Sequence, residues 1–79
     1  MRIDGIEYDV VVTSANDYDC LSMECCNGDE LLIEAELISY TEQKAKIHFL
    51  KSPISLELVD AFVQAVKHEL KFGGNSGGF

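Results

Sequence analysis

The chain has 79 residues, 47% of them hydrophobic and 25% charged, with a single proline and a formal net charge of −8 at neutral pH. That length makes one small domain, and such a chain buries roughly 60–65% of the surface its unfolded form exposes, which leaves little room for an enclosed catalytic cavity. The composition argues against disorder, and the negative charge disfavours direct contact with nucleic acid or an anionic membrane.

The charge is uneven. Residues 1–43 carry eleven acidic side chains against Arg2 alone, whereas residues 44–79 carry five lysines against Glu57, Asp60 and Glu69. A partner selected by charge is therefore a basic protein. The first eleven residues include Arg2, Asp4, Glu7 and Asp9 with no apolar run after them that ends in a cleavage site. No signal peptide is expected, nor a membrane span, and the odd number of cysteines fits a reducing compartment, so the expected location is the cytoplasm.

In chain order, Ile6-Glu7-Tyr8-Asp9-Val10 alternates apolar with acidic and continues through Val11-Val12-Thr13, which predicts a strand with Ile6, Tyr8, Val10 and Val12 facing inward. Ser14-Ala15-Asn16-Asp17 reads as a turn. Residues 19–26 alternate again, with Leu21, Met23 and Cys25 inward, and Asn27-Gly28 is a sharp hairpin signal. Residues 31–40 then place Leu31, Ile33, Ala35 and Leu37 inward and Glu34 and Glu36 outward, and a fourth strand over residues 44–50 turns Ala45, Ile47 and Phe49 inward.

Opposed residues of an antiparallel pair share a face, so these turns dictate registers. A two-residue turn at Asn16-Asp17 sets Val12 opposite Leu21 and Asp9 opposite Glu24. A plain Asn27-Gly28 turn would put Leu21 opposite Glu34; one extra residue, as a loop over 27–29 or an equivalent bulge, cures the conflict and pairs Met23 with Ile33. A three-residue loop around Glu42 pairs Leu37 with Ile47.

Ser52-Pro53 reads as a helix start, with serine as cap and proline at the first helical position. Leu56, Val59, Phe62, Val63, Val66 and Leu70 recur at helical spacing and make one apolar face, and Gly73 is a stop. The fold expected is α+β: a four-stranded antiparallel β-meander with one C-terminal helix packed on one face (ββββα). It forms a single domain over 1–72, followed by a flexible Gly-rich tail over 73–79.

The chemistry-bearing residues are few. All three cysteines lie in Cys20-Leu21-Ser22-Met23-Glu24-Cys25-Cys26. Cys20 and Cys26 sit about 20 Å apart along one strand, too far for a disulfide, and Cys25 faces the other way. With no Cys-x-x-Cys pair and no second cluster, the stretch is read as strand rather than as a zinc or redox centre. The register does set Cys20 beside Glu36 and Glu36 beside His48, which are metal-ligand types, but the row spans about 10 Å and lacks a fourth ligand. His48 and His68 have no nucleophile partner, and Glu34 with Glu36 has no concave pocket to make an acid and base pair. No catalytic residue, metal or cofactor is assigned.

What remains is a surface. Glu7, Asp9, Glu24, Glu34 and Glu36 gather on the outer face, with Val11, Leu32 and Ile38 interleaved as apolar anchors. Like charges opposed across a ladder cost a few tenths to about 1 kcal/mol, a cost that points to use. A Glu-rich meander followed by Ser52-Pro53-Ile54 and one amphipathic helix ending in Lys67-His68-Glu69-Leu70 resembles, over residues 6–72, the small acidic immunity proteins that bacteria encode beside secreted or contact-delivered toxins. Phage-encoded inhibitors of host nucleases share this size and charge. The resemblance implies a non-enzymatic inhibitor that masks the active surface of a basic toxin or nuclease, with Glu7, Asp9, Glu24, Glu34 and Glu36 supplying charge and Leu32 and Ile38 anchoring. The alternative is a structural or scaffold module that homo-oligomerises, as a homodimer for instance, through the outer face or an edge strand.

Overall fold

A computed structural model describes residues 1–14 and 21–73. The expected turn at residues 15–17, Cys20, and all of the tail beyond Gly73 lie outside them. Eight elements follow in order: β1 (Arg2–Ile3), β2 (Ile6–Glu7), β3 (Asp9–Ser14), β4 (Leu21–Asn27), β5 (Glu30–Ser39), β6 (Lys44–Phe49), α1 (Leu56–His68) and a π-helical turn over Glu69–Gly73. The fold is α+β. A four-stranded antiparallel meander, β3-β4-β5-β6, is joined by a separate two-stranded sheet, β1-β2, so the layout is not the simple ββββα expected.

The extra hairpin has a local cause. Ile3 pairs with Ile6 across Asp4-Gly5, and both turn residues adopt positive φ, +52° and +80°, as an Asp-Gly type I′ turn requires. The strand expected to run unbroken from Ile6 is interrupted at Tyr8, whose N–H donates to the carbonyl of Met1. Ile6, expected inside, is exposed, whereas Met1, Ile3 and Tyr8 pack against the core.

Away from the irregularities beside two of the turns, each register in the main sheet is displaced by two residues from the expected one. Ser14 pairs with Leu21, so Val12 meets Met23 and Val10 meets Cys25 rather than Val12 meeting Leu21. At the second hairpin the two-residue turn is Gly28-Asp29, not a three-residue loop over 27–29. Gly28, at φ +62°, takes the first central position, where a type II′ turn demands glycine. The predicted irregularity is present as a bulge between Cys25 and Cys26, after which Met23 meets Ala35. The third hairpin uses four residues, Tyr40 to Gln43, and a second irregularity at Ile38, so that Leu37 meets Ala45. A displacement of two keeps side chains on their faces, except at the bulge: there Leu31, expected inside, stands opposite Cys26 and is not part of the core, and Leu32 enters the core in its place.

The core follows from that parity. Met23 and Cys25 on β4 and Ile33, Ala35 and Leu37 on β5 are buried beneath Leu58, Phe62 and Val66 of α1. The helix is about 10–12 Å wide and strands lie about 4.8 Å apart, so one helix covers the two central strands and not all four. The inward residues of the outer strands are correspondingly less covered: Val12 on β3 is 41% exposed and Phe49 on β6 is 57% exposed.

Ser55, not Ser52, caps the helix. Its hydroxyl accepts the N–H of Leu58 at 3.2 Å, and a cis Ser52–Pro53 bond lies three residues upstream of it. Leu56 thereby becomes the first helical residue and points away from the core, 78% exposed, contrary to its place in the apolar stripe. Ile54 and Val59, before the cap and in the second turn, hold the positions of a hydrophobic staple, and both pack against the core. At the other end the widened turn keeps Leu70 buried. It also brings Glu69 to Tyr40, whose hydroxyl donates to Glu69 Oε2 at 2.7 Å and ties the helix end to the β5–β6 loop. Gly73 abuts the Glu69 carboxylate so closely that a Cβ there would collide with it.

Two predictions follow from these ends. Ser55→Ala should lower the unfolding free energy by about 1 kcal/mol, and Ser52→Ala should change it by less than about 0.5 kcal/mol, as read by urea denaturation. Burial, aided by Glu69, pushes the Tyr40 hydroxyl above its ordinary range. The stability this contributes is complete below about pH 10, where tyrosine in the unfolded chain begins to ionise, and is lost as pH rises toward the folded value. Denaturation curves should therefore show a steeper alkaline loss in the wild type than in Tyr40→Phe, which at neutral pH should be less stable by about 1–2 kcal/mol.

Candidate functional site: the outer face of the sheet

The face opposite α1 is organised in two cross-strand rows. One runs Val11, Glu24, Glu34, His48 and the other Thr13, Ser22, Glu36, Lys46, each residue directly opposite the next. Glu24 and Glu34 are therefore true cross-strand partners. The sheet does oppose like charges, as expected, but through this pair; Asp9 faces Cys26 instead of Glu24, because β3 pairs two residues further along β4.

The remaining polar groups divide the carboxylates between them. Ser22 is fully buried and its hydroxyl donates to Glu34 Oε2 at 3.0 Å. His48 Nε2 lies 3.2 Å from Glu36 Oε1, one step diagonal to its Cα partner Glu34. Glu36 also stands opposite Lys46. Among the described residues the carboxylates of Glu24 and Asp9 form no hydrogen bond or ion pair, whereas the β6 side of the face carries Lys46 and His48.

Two of the expected contact residues do not belong here. Glu7 sits on β2, outside the four-stranded sheet, and its carboxylate binds the N-terminal amine at 2.9 Å and approaches Arg2 at 3.8 Å. Leu32 is the residue added at the β5 bulge, and it joins the core rather than the outer surface. There it helps line a shallow cleft of about 220 Å³ beside Tyr8, Ile54 and Leu58, with the Lys51–Glu30 ion pair among the lining residues. Asp9, Glu24, Glu34 and Glu36 remain on the outer face, with Val11, 49% exposed, as its paired apolar member; Ile38, 42% exposed, is the unpaired residue of the second irregularity. Val11 was legible from its alternation alone.

Among the described residues the Ser22 hydroxyl donates a hydrogen bond to Glu34 and His48 Nε2 lies against Glu36, an arrangement that differs from a serine–histidine relay. No group of three histidine, cysteine or acidic side chains there could hold a metal ion. Ser22 stands opposite Glu36 where Cys20 was expected. No helix among the described residues is long and apolar enough to cross a membrane. Comparisons with protein-family models, curated proteins and solved structures find no match.

Cys25 and Cys26 are free thiols on opposite faces of β4. Burial pushes both pKa values up, helped at Cys25 by Cys26 and at Cys26 by Glu24 and Asp9. Thiolate is the reactive form, so both should be sluggish nucleophiles at neutral pH. In a Cys20→Ser background, mass spectrometry should find Cys26 alkylated by iodoacetamide more slowly than a free cysteine, and Cys25 modified only after denaturation.

Proposed function

We propose that the chain is a non-enzymatic acidic binding protein that neutralises a basic protein, of the toxin or nuclease kind, by masking its active surface. The observation that carries this reading is the direct opposition of Glu24 and Glu34 on a face the helix does not cover. Opposed carboxylates cost the isolated domain a few tenths to about 1 kcal/mol, and a compact sheet has easier ways to solvate its outer side. A basic partner reverses the sign of that term, because each cation placed between the two carboxylates removes their repulsion and adds an attraction.

The binding surface comprises Asp9, Glu24, Glu34 and Glu36, with Val11 and Ile38 as the apolar members that lose water on contact. Glu36 is held by His48 and Glu34 by Ser22, so these two carboxylates are already ordered and give up little rotamer freedom on binding. The likeness to immunity proteins and phage nuclease inhibitors belongs to this reading, and so does a cytoplasmic setting in which such a toxin would act.

Glu24→Gln separates use from mere solvation. The isolated domain should gain a few tenths to about 1 kcal/mol in urea denaturation. Affinity for the partner, captured from the native host on immobilised protein and identified by mass spectrometry, should fall several-fold, with a shallower salt dependence measured by calorimetry. Binding and salt dependence that survive lysine substitution of all four acids would refute the reading.

A further inference from the structure

The two edge strands of the sheet, β3 and β6, are defended differently. β6 places Lys44, Lys46 and His48 on one side and Ala45, Ile47 and Phe49 on the other. Two copies joined antiparallel along β6, with like faces together, would set Lys46 against Lys46 or against His48, so this edge resists self-pairing. β3 reads Asp9-Val10-Val11-Val12-Thr13-Ser14 and carries no cation. Among the described residues it pairs only with β4, which leaves every second backbone N–H and C=O directed away from the sheet. Val11 and Val12 are both substantially exposed, one on each face.

We propose that β3 is a dimerisation edge and that its occupant is β3 of a second copy, antiparallel about a two-fold axis at Val11. In this register Val11 lies beside its own copy, Val10 beside Val12, and Asp9 beside Thr13. No like charges meet. Odd-numbered residues stay on the outer face and even-numbered ones on the helix side, so both helices lie on the same side of one continuous eight-stranded sheet. The pairing covers Val12, which α1 leaves half open, with Val10 of the other copy. A second copy is favoured over an unrelated strand because the edge is complementary to itself at every position of the register and needs nothing from outside the chain. The inference does not depend on the identity of any basic partner.

Analytical ultracentrifugation of the whole chain, up to roughly 0.5 mM protein at physiological salt, tests it. A reversible monomer–dimer equilibrium is expected, weak because only about five residues of strand meet on each side. Val11→Lys should raise the dissociation constant at least about tenfold, since two lysines would then face each other across the axis. The variant should still fold, because residue 11 stands opposite Glu24 within its own sheet. Thr13 supplies a second readout: Thr13→Lys, facing Asp9 of the other copy, should tighten the dimer, and Thr13→Glu should loosen it. A chain that stays monomeric throughout overturns the proposal. So does a dimer indifferent to Val11→Lys, or Thr13 variants that shift the equilibrium in the same direction.

Discussion

A single helix is narrower than the sheet it has to cover, and most of this molecule's character follows from that mismatch. With α1 seated over β4 and β5, the chain concentrates its large buried side chains, Ile33, Leu37 and Phe62, on one central axis and leaves β3 and β6 as flanks. The core lies between α1 and these two strands. Its ends are closed by small devices: the β1-β2 hairpin delivers Met1, Ile3 and Tyr8 at one flank, and the Tyr40–Glu69 hydrogen bond anchors the helix C-terminus to the β5–β6 loop. Each device compensates for area that a second helix would otherwise have buried.

The alternation of side chains proved more legible in the sequence than the turns that connect them. Parity depends on a period of two, which every strand residue reinforces, whereas register depends on a few loop residues and on bulges that no alternation records. Displacement by two residues therefore left Met23, Cys25, Ile33, Ala35 and Leu37 inside and Glu24, Glu34 and Glu36 outside, and changed only who faces whom. Leu32 escaped the rule because the bulge makes it the unpaired extra residue of β5, and a bulged residue need not keep its strand's alternation. Glu7 escaped because Asp4-Gly5 starts an earlier hairpin, a turn signal that was present in the chain. The helix start was ambiguous in a different way: Ser52-Pro53 and Ser55 both satisfy the local chemistry of a cap, and the choice rests on where Ile54 and Leu58 meet the sheet. Tyr40 and Glu69, 29 residues apart, had no local signature at all.

The outer face has a polarity that composition alone conceals. The chain as a whole is acidic, yet β6 contributes Lys46 and His48 to this face, and they sit against Glu36 and Glu34. The negative field is thus strongest toward β3 and β4, where Asp9 and Glu24 lack such neighbours, and fades toward β6. Ser22 sharpens the pattern: fully buried in the row beside that of Glu34, it binds one oxygen of that carboxylate with an uncharged hydroxyl. A hydrogen bond from an uncharged donor orders a carboxylate without cancelling its charge.

The same gradient bears on the edges. The cations that temper the field at β6 also make that strand a poor template for another copy, so one set of side chains limits both charge and association on the β6 side. No such restraint acts at β3, the strand nearest the strongest negative potential. A two-fold join there brings the two acidic halves together in the middle and carries the basic strands to the periphery. The field from each copy would add at the centre, where Asp9 and Glu24 of both copies converge on one surface, while their carboxylates, separated by the paired valines, avoid direct opposition. An edge that is apolar at its core and acidic only at its start reconciles those two requirements, because the contact itself is made by groups without charge.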